Sequence, residues 1–243
     1  MRLEGKVCVV TGGSRGIGAA IVRAYAREGA IAIPTWCTQD AEAEKVAREC
    51  GAAEPVHLDV RSRASVRAAF AAIAERHGRI DVLVNNAGIN RTGDFDQITD
   101  EMWDEVLAVD LRGVFLCCQE ALPFLPGGAR VINVGSLSGE YGGPRTPSYA
   151  AAKAGVMALT HCLARFVGSR GITVNCLSPG VIESDLTAQT MPASLRDKIL
   201  PTILLGRLGR YDELTGLAVF LASDESSYVT AQTLSVNGGA WVR

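Results

Sequence analysis

With 243 residues, 48% of them hydrophobic and 21% charged, the chain is long enough for one globular domain with a sizeable core. The formal net charge is −2 and both signs are scattered, without the basic block of a nucleic-acid surface or the basic amphipathic run of a membrane surface. The apolar run at 7–10 is too short to cross a membrane and carries no signal-peptide cleavage pattern, so a cytoplasmic location is expected.

Strand-like and helix-like segments alternate along the whole chain. A β-rich run at 7–11 is followed by helical periodicity at 17–28, which stops at Gly29. A second strand is expected at 30–35, a helix at 41–49 closed by Gly51, a third strand at 55–60, and a helix at 62–77 stopped by Gly78. The fourth strand falls at 80–85, and one long helix is expected at 100–125. A fifth strand at 130–134 precedes a helix that starts near Ser148 and runs to about 169. A sixth strand at 172–177, a polar segment at 183–210, a helix at 211–222 and a strand at 232–236 complete the chain. Repeated strand–helix alternation with β-branched strands predicts an α/β fold: a single doubly wound parallel sheet with helices on both faces, the Rossmann arrangement. No internal repeat or low-complexity linker divides it, so residues 1–243 are read as one domain, with 183–210 expected to cover the substrate.

The first strand runs into Thr11-Gly12-Gly13-Ser14-Arg15-Gly16-Ile17-Gly18. Glycines between a strand and a helix let the backbone approach a diphosphate, which sits where free N–H groups and the helix dipole favour anions. The end of the second strand, Thr35-Trp36-Cys37-Thr38-Gln39, lacks the acidic residue that reads a ribose 2′-hydroxyl. Arg15 and Thr38 are placed to meet a 2′-phosphate instead, which favours NADP(H) over NAD(H). Farther on, Tyr149 and Lys153 lie four apart on a helix and therefore share a face. An ammonium about 4 Å from a phenolate stabilises it by about 4 kcal/mol at an effective dielectric of 20, which makes such a pair useful for acid–base work near neutral pH. The seven cysteines, at 8, 37, 50, 117, 118, 162 and 176, form no CxxC and read as buried free thiols in a reducing compartment rather than as disulfides or a metal site.

The ordered set of TGGSRGIG at 11–18, Asn85-Asn86-Ala87-Gly88, Ser136, and Tyr149 with Lys153 resembles the short-chain dehydrogenase/reductase family over essentially the whole chain. Within it, the segments at 168–175, 179–185 and 220–225 look most like 3-oxoacyl-(acyl-carrier-protein) reductases. The resemblance implies that Tyr149 exchanges the proton, that Lys153 supports it and holds the nicotinamide ribose, and that Ser136 hydrogen-bonds the substrate carbonyl oxygen. Ser138 is the alternative serine, and the spacing to Tyr149 favours Ser136. The cofactor contacts implied are Gly12, Ser14, Arg15, Gly16, Ile17, Gly18 and Thr38 at one end. Asp59 and Val60 would meet the adenine, and Asn86, Ala87 and Gly88 would line the cleft. Pro179, Gly180, Ile182 and Ser184, with Tyr149 and Lys153, would surround the nicotinamide. Asn85 reads as a structural residue at a strand end.

Two departures from the family pattern stand out. Where the family has an asparagine on the long helix, this chain has Asp110, in Val109-Asp110-Leu111-Arg112-Gly113. Facing Lys153 through water, a carboxylate would hold the lysine's charge, partly cancel its field at Tyr149 and move the working pH up. The second concerns the carrier protein. Arg170 matches a basic position of carrier-dependent reductases, but the turn at 125–129 has no basic cluster. A CoA thioester, a free ketone, a sugar-like alcohol or a polyketide therefore stays open beside an acyl carrier, as does a cofactor-binding protein without turnover. Relatives pack as tetramers through the long helix and the Tyr149 helix, and Val114, Phe115, Leu116, Ala158, Leu159 and Leu163 are the apolar candidates for such a homotetramer face.

Overall fold

The computed structural model describes residues 1–183 and 193–242. Seven strands form one sheet in the order β3-β2-β1-β4-β5-β6-β7, and every neighbouring pair is parallel. The strands are β1 (Val7–Val10), β2 (Ile31–Trp36), β3 (Val56–His57), β4 (Val82–Asn85), β5 (Arg130–Val134), β6 (Thr173–Pro179) and β7 (Thr233–Val236). β3 is two residues long where a six-residue strand was expected, because only Val56 and His57 pair with β2 and the chain then turns out toward Asp59.

The helices are α1 (Gly16–Arg27), α2 (Asp40–Cys50), α3 (Arg63–His77), α4 (Asp100–Leu107), α5 (Gly113–Ala121), α6 (Ser138–Tyr141), α7 (Pro147–Val167), α8 (Ala193–Ile199) and α9 (Tyr211–Ala222). Alternation along β1 shows why both faces are covered. Val7 and Val9 join the core under α3, α5 and α7, with Phe70, Cys117 and Val156. Cys8 and Val10 join the opposite core under α1, α2 and α9, with Tyr25, Val46 and Leu221. A central parallel strand must be apolar on both sides, and VCVV satisfies that.

The expected long helix is not regular. α4 and α5 are joined by a π-turn over Ala108–Arg112 that carries Asp110. Such single wide turns inside α-helices recur at functional sites. All seven cysteines are free; Cys8, Cys117, Cys118 and Cys176 are buried, whereas Cys37 and Cys162 are exposed, so burial was over-assigned for those two. A buried polar ladder ties the middle of the sheet to α7. Asn85 Nδ2 donates to Asn133 Oδ1 at 2.8 Å, and Asn133 Nδ2 donates to Thr160 Oγ1 at 2.9 Å. Asn85 thus has the structural role expected of it. Among the described residues no helix is long and apolar enough to cross a membrane.

Candidate active site

The β1–α1 turn forms a cradle by close backbone approach. A Cβ on Gly18 would lie 2.3 Å from the Gly12 carbonyl oxygen, and Gly12 and Gly16 have φ of +63° and +57°, which favours glycine at both. Beside Gly16 the space is open, the nearest atom to an added Cβ being the Tyr211 hydroxyl at 3.7 Å. No side chain caps α1, and its first turn has no acidic residue, so its N-terminal N–H groups and dipole are left for an anion. These residues fit the diphosphate of a dinucleotide. Ser14 is buried in the turn, and Arg15, at the N-cap, is exposed.

From the cradle the site continues to the next strand. Thr11 Oγ1 accepts the N–H groups of Asn86 and Ala87 at 2.9 and 3.0 Å. Asn86 Nδ2 donates to the carbonyls of Thr11 and Gly12 at 2.9 and 3.1 Å, so Asn86 clamps the glycine turn. Thr11 was not singled out in the sequence; a threonine at a strand end has no local signal for a partner 75 residues away. At Gly88 an added Cβ would sit 2.7 Å from Asp110 Oδ2 and 3.5 Å from Lys153 Nζ. Glycine at that position is what lets the β4 end, the π-turn and α7 meet.

Lys153 is 3% exposed and Asp110 is fully buried. Lys153 Nζ donates to the Val134 carbonyl at the end of β5 at 3.0 Å and lies 3.2 Å from Asp110 Oδ2. Asp110 Oδ1 accepts the Ile89 N–H at 2.8 Å. The expectation that Asp110 acts on Lys153 through water is corrected: the two groups are in direct contact, because the wide turn brings the carboxylate against α7. Burial opposes the charge on Lys153, but Asp110 and then Tyr149 outweigh it and hold its pKa above the ordinary lysine value. For Asp110, burial is the larger effect and raises its pKa, while Lys153 and the Ile89 N–H pull it back. The Ile89 N–H and the adjacent Lys153 ammonium both favour the charged carboxylate and so limit that rise.

Tyr149 is half-buried on the first turn of α7, and Nζ of Lys153 lies 5.5 Å from its ring centroid. Ser136 follows β5, and its Oγ accepts the Ser138 N–H at 3.1 Å, which leaves the hydroxyl proton free to donate. The Ser138 hydroxyl instead packs on the 142–143 turn, 2.5 Å from where a Gly143 Cβ would stand. Lys153 and Asp110 therefore meet where β5, α7 and the π-turn converge, with Ser136 just past β5 and Tyr149 one turn before Lys153 on α7, at the carboxyl edge of the sheet where open α/β folds bind ligands.

At the outer end of the sheet, Asp59 and Val60 follow β3; Val60 is buried against Gly113, and Asp59 is engaged by Arg61. Thr38 is exposed beyond β2. On the far side, the Gly180 N–H donates to Val236 at 2.9 Å, Pro179 accepts from the Leu137 N–H, and Ile182 is buried and bridges to Gly209. Ser184 lies outside the described residues, as do 185–192 of the expected covering segment. The described remainder of that segment contains α8 and a short 3-10 turn at Leu200–Thr202.

One feature of the mouth was not read from the sequence. Tyr141 stacks on Trp241, with ring centroids 5.6 Å apart and planes at 28°. The two residues come from α6 and from the chain after β7, and Glu140 ties α6 to the ends of β6 and β7 by accepting the hydroxyls of Ser178 and Ser235 at 2.6 and 2.8 Å. Leu204 and Leu205 stand exposed against the same carboxyl-terminal turn.

A glycine cradle clamped by Asn86, with Ser136, Tyr149 and a buried Lys153 on the elements that follow along the same edge of a parallel sheet, fits an oxidoreductase that moves hydride between a nicotinamide cofactor and a CH–OH or carbonyl group. The family model described as "Enoyl-(Acyl carrier protein) reductase" matches residues 12–240. The 3-oxoacyl-(acyl-carrier-protein) reductase of Thermotoga maritima is 40% identical over 98% of this chain and 99% of its own length. A short-chain dehydrogenase/reductase of Serratia marcescens superposes with a TM-score of 0.92 at 33% identity, covering 99% of both chains. A gluconate 5-dehydrogenase of Burkholderia cenocepacia, solved with NADP and tartrate, gives 0.93 at 36% identity over 98% of this chain and 96% of that one. The chain belongs to the short-chain dehydrogenase/reductase family.

Proposed function

We propose that this protein is a single-domain, NADPH-dependent reductase of 3-oxoacyl thioesters. The observation that carries the reading is the continuous path from the glycine cradle through Asn86 and Gly88 to Lys153, with Tyr149 and Ser136 at its end. Full-length likeness to 3-oxoacyl-(acyl-carrier-protein) reductases supports the substrate class. So do the exposed apolar side chains of Tyr141 and Trp241, stacked on one another, and of Leu204 and Leu205 on the carboxyl-terminal turn, which would suit an acyl chain.

The roles follow from placement. NADPH, when bound, supplies the hydride. Gly12, Ser14, Gly16, Ile17 and Gly18 would hold its diphosphate end, Arg15 and Thr38 would face its 2′-phosphate, and Asn86 and Gly88 keep the cleft floor in place. Ser136 and Tyr149 donate to the substrate oxygen and stabilise the charge that builds there; such donors are worth about a hundredfold or more in rate. Tyr149 then transfers the proton, and buried Lys153 supplies the positive field that makes its loss manageable. Asp110 keeps Lys153 charged in a site that disfavours charge. The test is NADPH oxidation with a 3-oxoacyl thioester. Tyr149→Phe is expected to lower kcat by about a thousandfold while nucleotide affinity is kept. Tight NADPH binding without turnover on a broad ketone panel would instead favour a binding protein.

A second substrate class is favoured by one observation. Arg170, the residue matched to carrier docking, donates to the carbonyls of Leu122 and Leu125, and so braces the turn before β5. With that guanidinium engaged and no basic cluster beside it, a CoA thioester or free ketone competes with the acyl carrier. Comparing kcat/KM for one acyl group on carrier and on CoA separates them. For assembly we propose a homotetramer. Phe115, Leu159 and Leu163 lie at the surface of α5 and α7, and Phe115 and Leu159 flank a groove with Leu107 and Leu111; Val114 and Leu116 belong to the core.

A further inference from the structure

Resting on the NADPH reading above, the outer end of the sheet carries a group that the glycine turn does not explain. β2 ends at Trp36 and β3 at His57, and the two ends are zipped together. The Leu58 N–H donates to the Trp36 carbonyl at 2.7 Å, and the rings of Trp36 and His57 meet edge to face at 4.8 Å. Cys37, exposed just past β2, is therefore a neighbour of the turn at 59–61. In dinucleotide-binding sheets the position just past the second strand is where the adenosine 2′ substituent is read, by an acid for a hydroxyl or by an arginine for a phosphate.

No acid follows β2 at 37–39, but a guanidinium, itself paired with Asp59, stands beside that position. Arg61 reaches back across the strand ends. Its Nε donates to both oxygens of Asp59 at 2.9 and 3.2 Å, and its Nη2 to Oδ2 at 2.8 Å. Its positive charge reaches the neighbouring Cys37 side chain and pulls the thiol pKa down, against the stronger upward effects of burial and of Asp59. The Arg61 backbone is fixed in turn, because Arg112 Nη1 donates to its carbonyl at 2.9 Å. Half of the Arg61 side chain stays open to solvent, whereas the Asp59 side chain is 24% exposed. A guanidinium has five donors in a planar fork. Asp59 takes the Nε–Nη2 edge, which orients the fork and leaves further donors at the Cys37 position.

We propose that Arg61 is a specificity residue for the 2′-phosphate of NADPH, held by Asp59 so that its free donors meet the phosphate beside Cys37. Arg15 and Thr38 contribute from the β1–α1 and β2–α2 turns, and Arg61 supplies a second cation from the turn after β3. A phosphate is a dianion with several acceptor oxygens, and a preset planar fork recognises it better than a flexible ammonium does. Asp59 is then chiefly the clamp for Arg61, and its contact with adenine is secondary to that.

The experiment measures binding and needs no turnover. Affinities of the full-length protein for NADPH and NADH are determined by calorimetry, and repeated with adenosine 2′,5′-bisphosphate and 5′-ADP, for wild type, Arg61→Ala and Arg61→Gln. Gln keeps much of the side-chain stem and guards against loss of fold, and NADH binding reports that the variants are intact. The expected result is a fall of about tenfold in the NADPH-to-NADH affinity ratio, with NADH affinity held within about twofold, as for loss of one charge-assisted hydrogen-bonding group at a half-exposed site. An unchanged ratio in both variants, or an equal loss for both nucleotides, overturns the proposal. Should the wild type itself bind NADH more tightly than NADPH, the cofactor reading fails instead, a result distinct from either of these.

Discussion

Replacing Asp110 with asparagine keeps the shape of the side chain and removes its charge. That carboxylate has one hydrogen-bond donor, the Ile89 N–H at 2.8 Å on Oδ1, and one ion-pair partner, Lys153 Nζ at 3.2 Å from Oδ2. Asparagine has one oxygen to offer: if it keeps the Ile89 N–H, Lys153 faces an amide N–H₂ in place of the carboxylate oxygen. At 3.2 Å the gross attraction between the charges is about 5 kcal/mol at an effective dielectric of 20. The burial of both groups offsets much of this, and a net cost of about 2 kcal/mol is expected for Asp110→Asn, a fall of about 4–8 °C in Tm for a chain of this size. A double-mutant cycle with Lys153→Met isolates the pair, and a coupling of about 2 kcal/mol is expected.

The pH dependence follows from the two directions. The pKa of Lys153 is raised in the folded protein, so its contribution is complete below the ordinary lysine range and is lost as pH rises through the raised value. Without Asp110, alkaline loss of stability should begin at lower pH. The pKa of Asp110 is also raised, so what it contributes is present below the ordinary aspartate range and lost as pH rises through its folded value. Lys153→Met, which leaves that carboxylate buried without its cation, should therefore be relatively more stable in acid than at neutral pH. Activity offers a parallel check: the alkaline limb of the reduction profile should move to lower pH in Asp110→Asn, since the negative charge that helps keep a proton in the site is gone. A coupling below about 0.5 kcal/mol together with an unmoved pH–rate profile would refute the reasoning.

Three further outcomes are expected. Trp241→Ala should reduce kcat/KM for long acyl chains while leaving short ones nearly unchanged, with a chain-length dependence of up to about fourfold per methylene in contact with the ring; a uniform loss across chain lengths would remove the ring from substrate recognition. Phe115→Glu should shift the assembly toward smaller species in sedimentation, because a charge would be buried at the proposed face; an unchanged sedimentation coefficient would place the interface elsewhere. Asn133→Leu should lower stability by about 2–4 kcal/mol, since Asn85 and Thr160 each lose a buried partner. Denaturant unfolding with an unchanged slope would report it.

Strand–helix alternation, the glycine turn and the Tyr149–Lys153 spacing are local signals, and they were enough to read the doubly wound sheet and most of the candidate site. Apolar runs with period two and helices closed by glycine depend on a residue and its near neighbours, so they survive without a structure. The short β3, the π-turn and the exposure of Cys37 depend on partners elsewhere in the chain. A helix-period pattern continues straight through 108–112, and nothing within it marks the wide turn; the demand that Asp110 meet Lys153 and Ile89 is satisfied only in three dimensions.

The groups proposed for the chemistry were legible in the sequence itself: a phenol and an ammonium one helical turn apart, a serine ahead of them, and a glycine-rich strand–helix turn. The tertiary structure decided how those groups are held. It placed Asp110 directly on Lys153, Arg61 beside Cys37, and Tyr141 against Trp241. Contacts between residues 21 to 100 positions apart carry no periodicity to read, and they form only when the sheet brings its strand ends to one edge.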